Sequence, residues 1–168
     1  MKEEKNVEKG EDLKRVMSAV YASIDERVAQ LEAGLTLRCT LGCCSCCIDG
    51  LSVAPSEAEN IRLHYAEFLK SAEPQMHGLC AFLDNEGACR IYAQRPYVCR
   101  THGLPLRWLD NGQEYRDICL LNEDVGCENL LPEQCWTLGA VEQHLMQVDQ
   151  YFFGHHERVQ LRELFEKE

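Results

Sequence analysis

The sequence predicts a mainly α-helical protein with small β-hairpins, in the α+β class, in which long amphipathic helices flank an irregular cysteine-rich core. Three observations lead to this prediction. Apolar residues recur at spacings of three and four near both ends of the chain, as on one face of a helix. An Asp-Asn-Gly sequence between them favours a hairpin turn. The same central part holds the cysteines, eleven in all, which leave less apolar material for an ordinary core.

The chain has 168 residues, a length that suits one domain. Residues 1–10 are mostly charged and predict a flexible tail, so the domain itself covers residues 11–168. Its predicted parts are an N-terminal helix (11–34), a cysteine-cluster core (36–127) and a C-terminal helical segment (132–168).

Each predicted helix has one apolar face. In the N-terminal helix this face comprises Leu13, Met17, Val20, Ile24, Val28 and Leu31. In the C-terminal segment it comprises Leu138, Val141, Leu145, Val148 and Phe152, and then Val159, Leu161, Leu164 and Phe165. Pro132 suits the first turn of that segment, and Gly154 interrupts it. A further helix follows Pro55, where Ser56 and Glu59 have the spacing of a capping box.

Two hairpin-like stretches are predicted inside the core. Residues 104–109 and 113–118 flank the Asp-Asn-Gly turn, in which Asn and Gly tolerate positive φ angles. Residues 80–83 and 88–92 form a second pair of short extended pieces joined by a tight turn.

The charge and hydropathy of the chain exclude several classes of partner. A net charge of −11 argues against nucleic acid, because binding phosphates requires a basic surface. No stretch has the roughly 20 apolar residues of a membrane span, and the charged N-terminus is not a secretory signal. We therefore expect a cytoplasmic protein without membrane contact. Thiols stay reduced in the cytoplasm, so dense cysteines favour metal binding over disulfides.

The densest cysteine run is Cys-Thr-Leu-Gly-Cys-Cys-Ser-Cys-Cys, at positions 39–47. Thiolates bind zinc and iron, and closely spaced cysteines let one loop wrap around a metal ion. Later cysteines are expected to complete the coordination. The predicted metal ligands are Cys39, Cys43, Cys46, Cys47, Cys80, Cys89, Cys99 and Cys119.

The spacing of these cysteines leaves the number and type of metal centres open. Eight thiolates suit two four-thiolate centres, whereas four suit one centre with the remaining cysteines buried as small apolar side chains. Side chains of consecutive residues point in different directions. Cys46 and Cys47 are therefore suited to bind two different metal ions, or two edges of one cluster. Zinc, iron and an iron–sulfur cluster all accept such ligands. Bound metal would stabilise the irregular core.

Several residues near the predicted ligands are further candidates. Cys44 is a spare thiol within the run, and His102 follows Cys99 at a spacing that can bind metal. Cys127 and Cys135 either extend the site or are structural thiols. Guanidinium groups can offset the negative charge of thiolates. The arginines that flank predicted ligands are Arg38, Arg90, Arg95 and Arg100.

Two of these segments resemble a known family. Gly42-Cys43-Cys44-Ser45-Cys46-Cys47 is a cysteine knuckle that ends in a Cys-Cys pair. Cys89-Arg-Ile-Tyr-Ala-Gln-Arg-Pro-Tyr-Val-Cys99-Arg100 matches every defining position of C-x-I-Y-x-x-R-P-x-x-C-R. With Cys80-Ala-Phe-Leu-Asp between them, these segments resemble the YkgJ-like CxxCxxCC cysteine-cluster family over about residues 36–105. The longer gap after Cys39 and the extra Cys44 depart from the family pattern, which leaves open which of the two binds metal.

The resemblance implies a cytosolic domain that chelates zinc or iron, either as single ions or as an iron–sulfur cluster. The alternatives are an iron- or iron–sulfur-dependent enzyme with redox or group-transfer chemistry, as in similar flagellin lysine methylases of bacteria, or a redox or metal sensor. The chain has no H-E-x-x-H, phosphate loop or G-x-G-x-x-G motif, so no catalytic residue is predicted. The predicted partner is a metal ion, and a protein partner is left open.

Overall fold

The fold combines long helices with a region of turns and short strands that carries the cysteines. The computed structural model describes residues 2–39 and 42–165. The α-helices are α1 (Lys2–Glu32), α2 (Pro55–Ser71), α3 (Tyr97–Thr101) and α4 (Ala140–Phe152). The strands are β1 (Ser52–Val53), β2 (Leu106–Asp110), β3 (Gln113–Asp117), β4 (Trp136–Thr137) and β5 (Val159–Gln160). The predicted α+β class is therefore confirmed.

Helix α1 has the predicted apolar face. All six predicted face residues are buried, and Tyr21 is buried beside them. This face packs against α4 and against Tyr97, Leu104 and Trp136 in one hydrophobic cluster. The spacing of three and four along the sequence was sufficient to find the face, because helix geometry alone puts these residues on one side.

The beginning of α1 differs from the prediction. Residues 2–10, predicted as a flexible tail, are helical, and Met1 lies outside the described residues. Lys and Glu are good helix formers and favour continuation of the helix. Lys14 and Glu11 form an ion pair at 2.9 Å, and Gly10 lies against Leu63 of α2. Contact with α2 therefore supports a part of the helix whose sequence has no apolar face.

Helix α2 begins with a cap different from the predicted one. Ser56 lies inside the helix, and Glu57 instead reaches back to accept the Ala54 N–H at 3.2 Å. The predicted capping box of Ser56 and Glu59 is therefore wrong. Pro55 occupies the first turn, where its missing N–H costs nothing, and the N-cap is Ala54, two positions before the predicted Ser56.

The Asp-Asn-Gly hairpin is confirmed. Strands β2 and β3 are antiparallel, and Asp110 pairs with Gln113 across the turn. Asn111 and Gly112 have φ angles of 49° and 79°, the left-handed region that this turn requires. Strand β4 pairs with β2 in parallel, and β1 pairs with β5 in a separate antiparallel sheet.

The C-terminal segment is less helical than predicted. Pro132 begins a short 3-10 turn, and α4 begins eight residues later at Ala140. Between them Trp136 pairs with β2, and this pairing interrupts the helix that the apolar spacing predicted. After Gly154, β5 leads to a 3-10 turn at Leu161–Phe165. Residues 166–168 of the predicted helical segment lie outside the described residues.

A second hydrophobic cluster lies beside the cysteine-rich region. It contains Phe82, Ile91 and Phe165, with Ile61 of α2 and the buried Cys80. Where residues 80–83 and 88–92 were predicted as extended pieces, the structure has one isolated bridge, between Leu83 and Cys89, with turns on either side, and Tyr92 begins a 3-10 turn. Helices in the described part of the chain are all too short or too polar to cross a membrane.

Candidate metal centres

The cysteine run follows α1 as a series of tight turns. Gly42 has a φ of +92°, and the Cys47 N–H donates to the Cys44 carbonyl at 2.9 Å. The Ile48 N–H donates to the Cys46 carbonyl at 3.0 Å. Thr40 and Leu41 lie outside the described residues. Because the backbone turns repeatedly here, neighbouring thiols face different parts of the protein.

The first set of neighbouring thiols, group A, consists of Cys39, Cys43, Cys46 and Cys119. Burial, together with a hydrogen bond to Cys119, raises the pKa of Cys39 to about 11. Negative charge on Cys43 contributes to the same pKa shift. Burial also raises the pKa of Cys46, and charges on Cys43 and Cys119 add to that effect. These effects indicate that Cys43 and Cys119 lie near both Cys39 and Cys46.

The second set, group B, consists of Cys47, Cys80, Cys89 and Cys99. Burial raises the pKa of Cys47 to about 12, and negative charges on Cys46, Cys80 and Cys89 add to the shift. The pKa of Cys99 is raised by burial and then by charges on Cys80, Cys89 and Cys47. Burial likewise raises the pKa values of Cys80 and Cys89. In the metal-free protein these thiols are therefore protonated at neutral pH.

Cys46 and Cys47 join the two groups. They are consecutive residues, and each thiol affects the pKa of the other. Cys46 nevertheless interacts with Cys43 and Cys119, whereas Cys47 interacts with Cys80 and Cys89. The eight predicted ligands thus fall into two sets whose thiols affect one another's pKa values, and the two sets are joined at Cys46 and Cys47.

Thiols of this kind fit zinc or iron, because both metals take sets of cysteine sulfurs. A metal ion would replace the protons of the buried thiols and offset the negative charge of the thiolates. Across residues 2–39 and 42–165, no three His, Cys, Asp or Glu side chains already form a metal-binding arrangement. Groups A and B are therefore neighbourhoods of suitable donors without a formed coordination shell.

Positive charges surround group B. Arg90 and Arg162 lower the pKa of Cys80, and Arg90 and Arg95 lower that of Cys89, against the larger effect of burial. Arg90 is held in place by the carbonyls of Glu73 and Ala81, at 3.0 Å and 2.7 Å. These guanidinium groups would reduce the repulsion among four thiolates.

Arg100 has a different role from the one expected of the flanking arginines. Its side chain is only 3% exposed, and it forms an ion pair with Asp25 of α1 at 2.6 Å. It also donates to the carbonyls of Ala93 and Arg95, each at 2.8 Å. Ile91, in the same segment, is buried as well. Arg100 thus anchors the residues between Cys89 and Cys99 to α1. These contacts account for two positions of the C-x-I-Y-x-x-R-P-x-x-C-R pattern, Ile91 and Arg100.

The remaining candidates lie outside both groups. Cys44 is exposed and lies near Gly87, whose Cβ position would be 3.5 Å from its sulfur. Cys127 and Cys135 interact with each other and with Arg116. His102 is exposed. Their positions favour the interpretation of Cys127 and Cys135 as a separate structural pair.

Sequence patterns did not identify two residues that contact the cysteine segments. Asn122 donates a hydrogen bond to the Cys39 sulfur at 3.3 Å. Arg162 bonds Asp49 at 2.9 Å and the Leu79 carbonyl at 3.1 Å, next to Cys80. Neither belongs to a cysteine motif, and each contacts residues more than 80 positions away. A local signal for these roles is therefore absent from the sequence.

Comparison with protein families matches residues 38–120 to a model described as "CxxCxxCC: Putative zinc- or iron-chelating domain". Residues 38–120 match the CxxCxxCC family. Groups A and B lie wholly within the CxxCxxCC segment, whose description as zinc- or iron-chelating agrees with their thiol chemistry. All of α1 and all of α4 lie outside it. No curated protein and no solved structure gave a significant match to the chain.

Proposed function

We propose that this protein binds two metal centres of zinc or iron, each through four thiolates. Centre A is held by group A, and centre B by group B. The proposal is supported by the mutual effects of the eight thiols on their pKa values, which fall into two sets of four with the consecutive Cys46 and Cys47 in different sets. Four thiolates match the closed coordination of a structural zinc site and the ligand count of an iron–sulfur cluster.

A structural or chelating role suits both centres. Four protein ligands leave no open position on a tetrahedral metal ion, whereas catalytic zinc sites keep one position for water or substrate. The thiols of groups A and B come from segments as far apart as Cys39 and Cys119, so bound metal would join these segments. Metal binding would therefore stabilise the core directly.

We also propose that the protein works in the cytoplasm. All eleven cysteines are free, including the consecutive pairs in the run. Closely spaced thiols persist in a reducing compartment and tend to form disulfides outside it.

Metal analysis of the purified full-length chain tests the two-centre proposal. Protein purified without oxygen or added metal should contain two zinc ions per chain and be colourless, or contain iron and absorb visible light. Cys119→Ser should remove the metal of centre A only, and Cys99→Ser that of centre B only. Cys44→Ser is the matched control, because Cys44 lies in the same run but in neither group, and it should retain both centres.

Two results would contradict the proposal. A single metal ion per chain, lost in both Cys119→Ser and Cys99→Ser, would indicate one shared centre. Full metal content in both variants would remove these thiols from the ligand set. A visible spectrum typical of an iron–sulfur cluster would retain the two-group assignment and identify the metal as iron.

A further inference from the structure

We propose that Asn122 is a positioning residue of centre A, which holds the Cys39 sulfur through a hydrogen bond from its side-chain amide. The inference rests on the proposed function, because Cys39 is one of the ligands assigned to centre A. It extends that function to a residue beyond the CxxCxxCC segment, which ends at residue 120.

The Asn122 side chain is fully buried, with 0% exposure, and it joins three separate segments. Its Nδ2 donates to the Cys39 sulfur at 3.3 Å and to the Gly103 carbonyl at 2.9 Å. Its Oδ1 accepts the backbone N–H of Arg38 at 2.7 Å. The backbone donor and the backbone acceptor together define which end of the amide faces the sulfur, since a flipped amide would lose both bonds.

The backbone of Asn122 supports the second predicted ligand of the same centre. Its N–H donates to the Cys119 carbonyl at 2.7 Å and closes the turn that follows this cysteine. Asn122 therefore connects Cys39 with the Cys119 segment, although these cysteines are separated by most of the CxxCxxCC domain.

Gly103 lies against the Cys39 sulfur as well. A Cβ atom at this position would be 3.0 Å from the sulfur, closer than side chains normally approach, and Gly103 has a φ of +99°. The sulfur is thus confined between the Asn122 amide and the Gly103 backbone. Its position depends on these contacts in addition to the cysteine spacing.

An N–H···S hydrogen bond has two consequences for a metal-bound thiolate. It orients the sulfur, and it withdraws part of the negative charge that four thiolates accumulate. Removing a hydrogen-bond partner of a metal ligand typically weakens metal binding by about 10–100-fold. Loss of the Asn122 amide should therefore weaken centre A and leave centre B unchanged.

The test compares metal loss from full-length variants loaded with zinc. Asn122→Asp retains the acceptor for Arg38 but lacks the donor to sulfur, and Asn122→Leu lacks both. In each variant, one of the two zinc ions should be bound about 10–100-fold more weakly than in the wild type, as measured by competition with a chelator. The control is Asn60→Asp, because Asn60 is equally buried and bonds Gln94 at 2.9 Å rather than a sulfur. Zinc affinities within threefold of wild type in both Asn122 variants would overturn the inference.

A Cys39→Ser variant separates this inference from the proposed function. If Cys39→Ser keeps both zinc ions at wild-type affinity, the assignment of centre A is wrong, and the role of Asn122 is wrong with it. If Cys39→Ser loses one zinc ion while both Asn122 variants bind like wild type, centre A stands and only the role of Asn122 is refuted.

A measurement on the wild-type protein avoids dependence on variants that fail to fold. Loaded with cadmium-113, the protein should show NMR coupling between the metal and one side-chain amide proton of Asn122, transmitted through the N–H···S bond. The same proton should exchange slowly with water. Absence of coupling in protein carrying two cadmium ions would overturn the inference.

Discussion

Glu57 connects three parts of the fold through one buried carboxylate. It is 3% exposed and accepts hydrogen bonds from the N–H groups of Tyr97 and Ala54, at 2.7 Å and 3.2 Å. The Tyr21 hydroxyl donates to it at 3.3 Å. Burial raises the pKa of Glu57, and the donated hydrogen bonds oppose that shift. Through Tyr97 it supports the short helix that carries Cys99.

We expect Glu57→Ala to lower the free energy of unfolding by about 2–4 kcal/mol, because two buried backbone N–H groups would lose their acceptor. Urea denaturation monitored by circular dichroism measures the change. Glu59→Ala is the matched control on the same helix, where an exposed contact with Arg62 at 3.5 Å should contribute less than about 1 kcal/mol. Equal effects in the two variants would show that the buried hydrogen bonds are unimportant.

The 3-10 turn at Leu161–Phe165 supports the segments that carry Cys47 and Cys80. Leu161 and Phe165 belong to the same hydrophobic cluster as Cys80. From this turn, Arg162 bonds Asp49 at 2.9 Å, the Gln75 carbonyl at 2.7 Å and the Leu79 carbonyl at 3.1 Å. A single guanidinium group thus holds residues next to two members of group B.

We expect Arg162→Met to weaken metal binding at centre B by about 10–100-fold while centre A is unchanged, because the segments before Cys80 and after Cys47 lose their shared anchor. Competition with a chelator measures both affinities. Arg158→Met is the control, since Arg158 lies nearby but donates to Ser52 at 3.0 Å and not to the cysteine segments. An effect of the same size in both variants would indicate general destabilisation of the C-terminus.

At the scale of the whole molecule, the thiols link stability to pH. The pKa values of Cys39 and Cys47 are raised from the ordinary value of 9.0 to about 11 and about 12, chiefly by burial. A group whose pKa is raised by folding stabilises the folded state below its ordinary pKa and loses that contribution as the pH rises. The stability of the metal-free protein should therefore depend most strongly on pH above about 9.

We expect the free energy of unfolding of the metal-free, reduced protein to fall as the pH rises from about 9 to about 11, because the unfolded thiols lose their protons first. Denaturation in urea at a series of pH values measures this slope. Cys47→Ser should reduce the slope, and the metal-loaded protein should lack most of it, since bound thiolates carry no proton. Metal-free stability that is constant over this range would contradict the burial of these thiols.

The helix faces and the hairpin could be predicted from the sequence because their signals are local. The spacing of Leu13, Met17 and Val20 defines a helical face, and Asn111-Gly112 defines the hairpin turn, whatever the rest of the chain does. The density of cysteines and the pattern around Cys89 and Cys99 also indicate eight candidate thiols, whose role as ligands stays a prediction. The helix faces and the hairpin each depend on residues only a few positions apart.

The assignment of thiols to group A or group B depends on contacts between distant segments. Spacing cannot separate Cys46 from Cys47, and only the folded chain places Cys119 beside Cys39 and Cys80 beside Cys47. Pairing of Trp136 with β2 likewise overrides a helical pattern that begins at Pro132. Such contacts determine the local structure but produce no periodic pattern in the sequence, because their partners are separated by tens of residues.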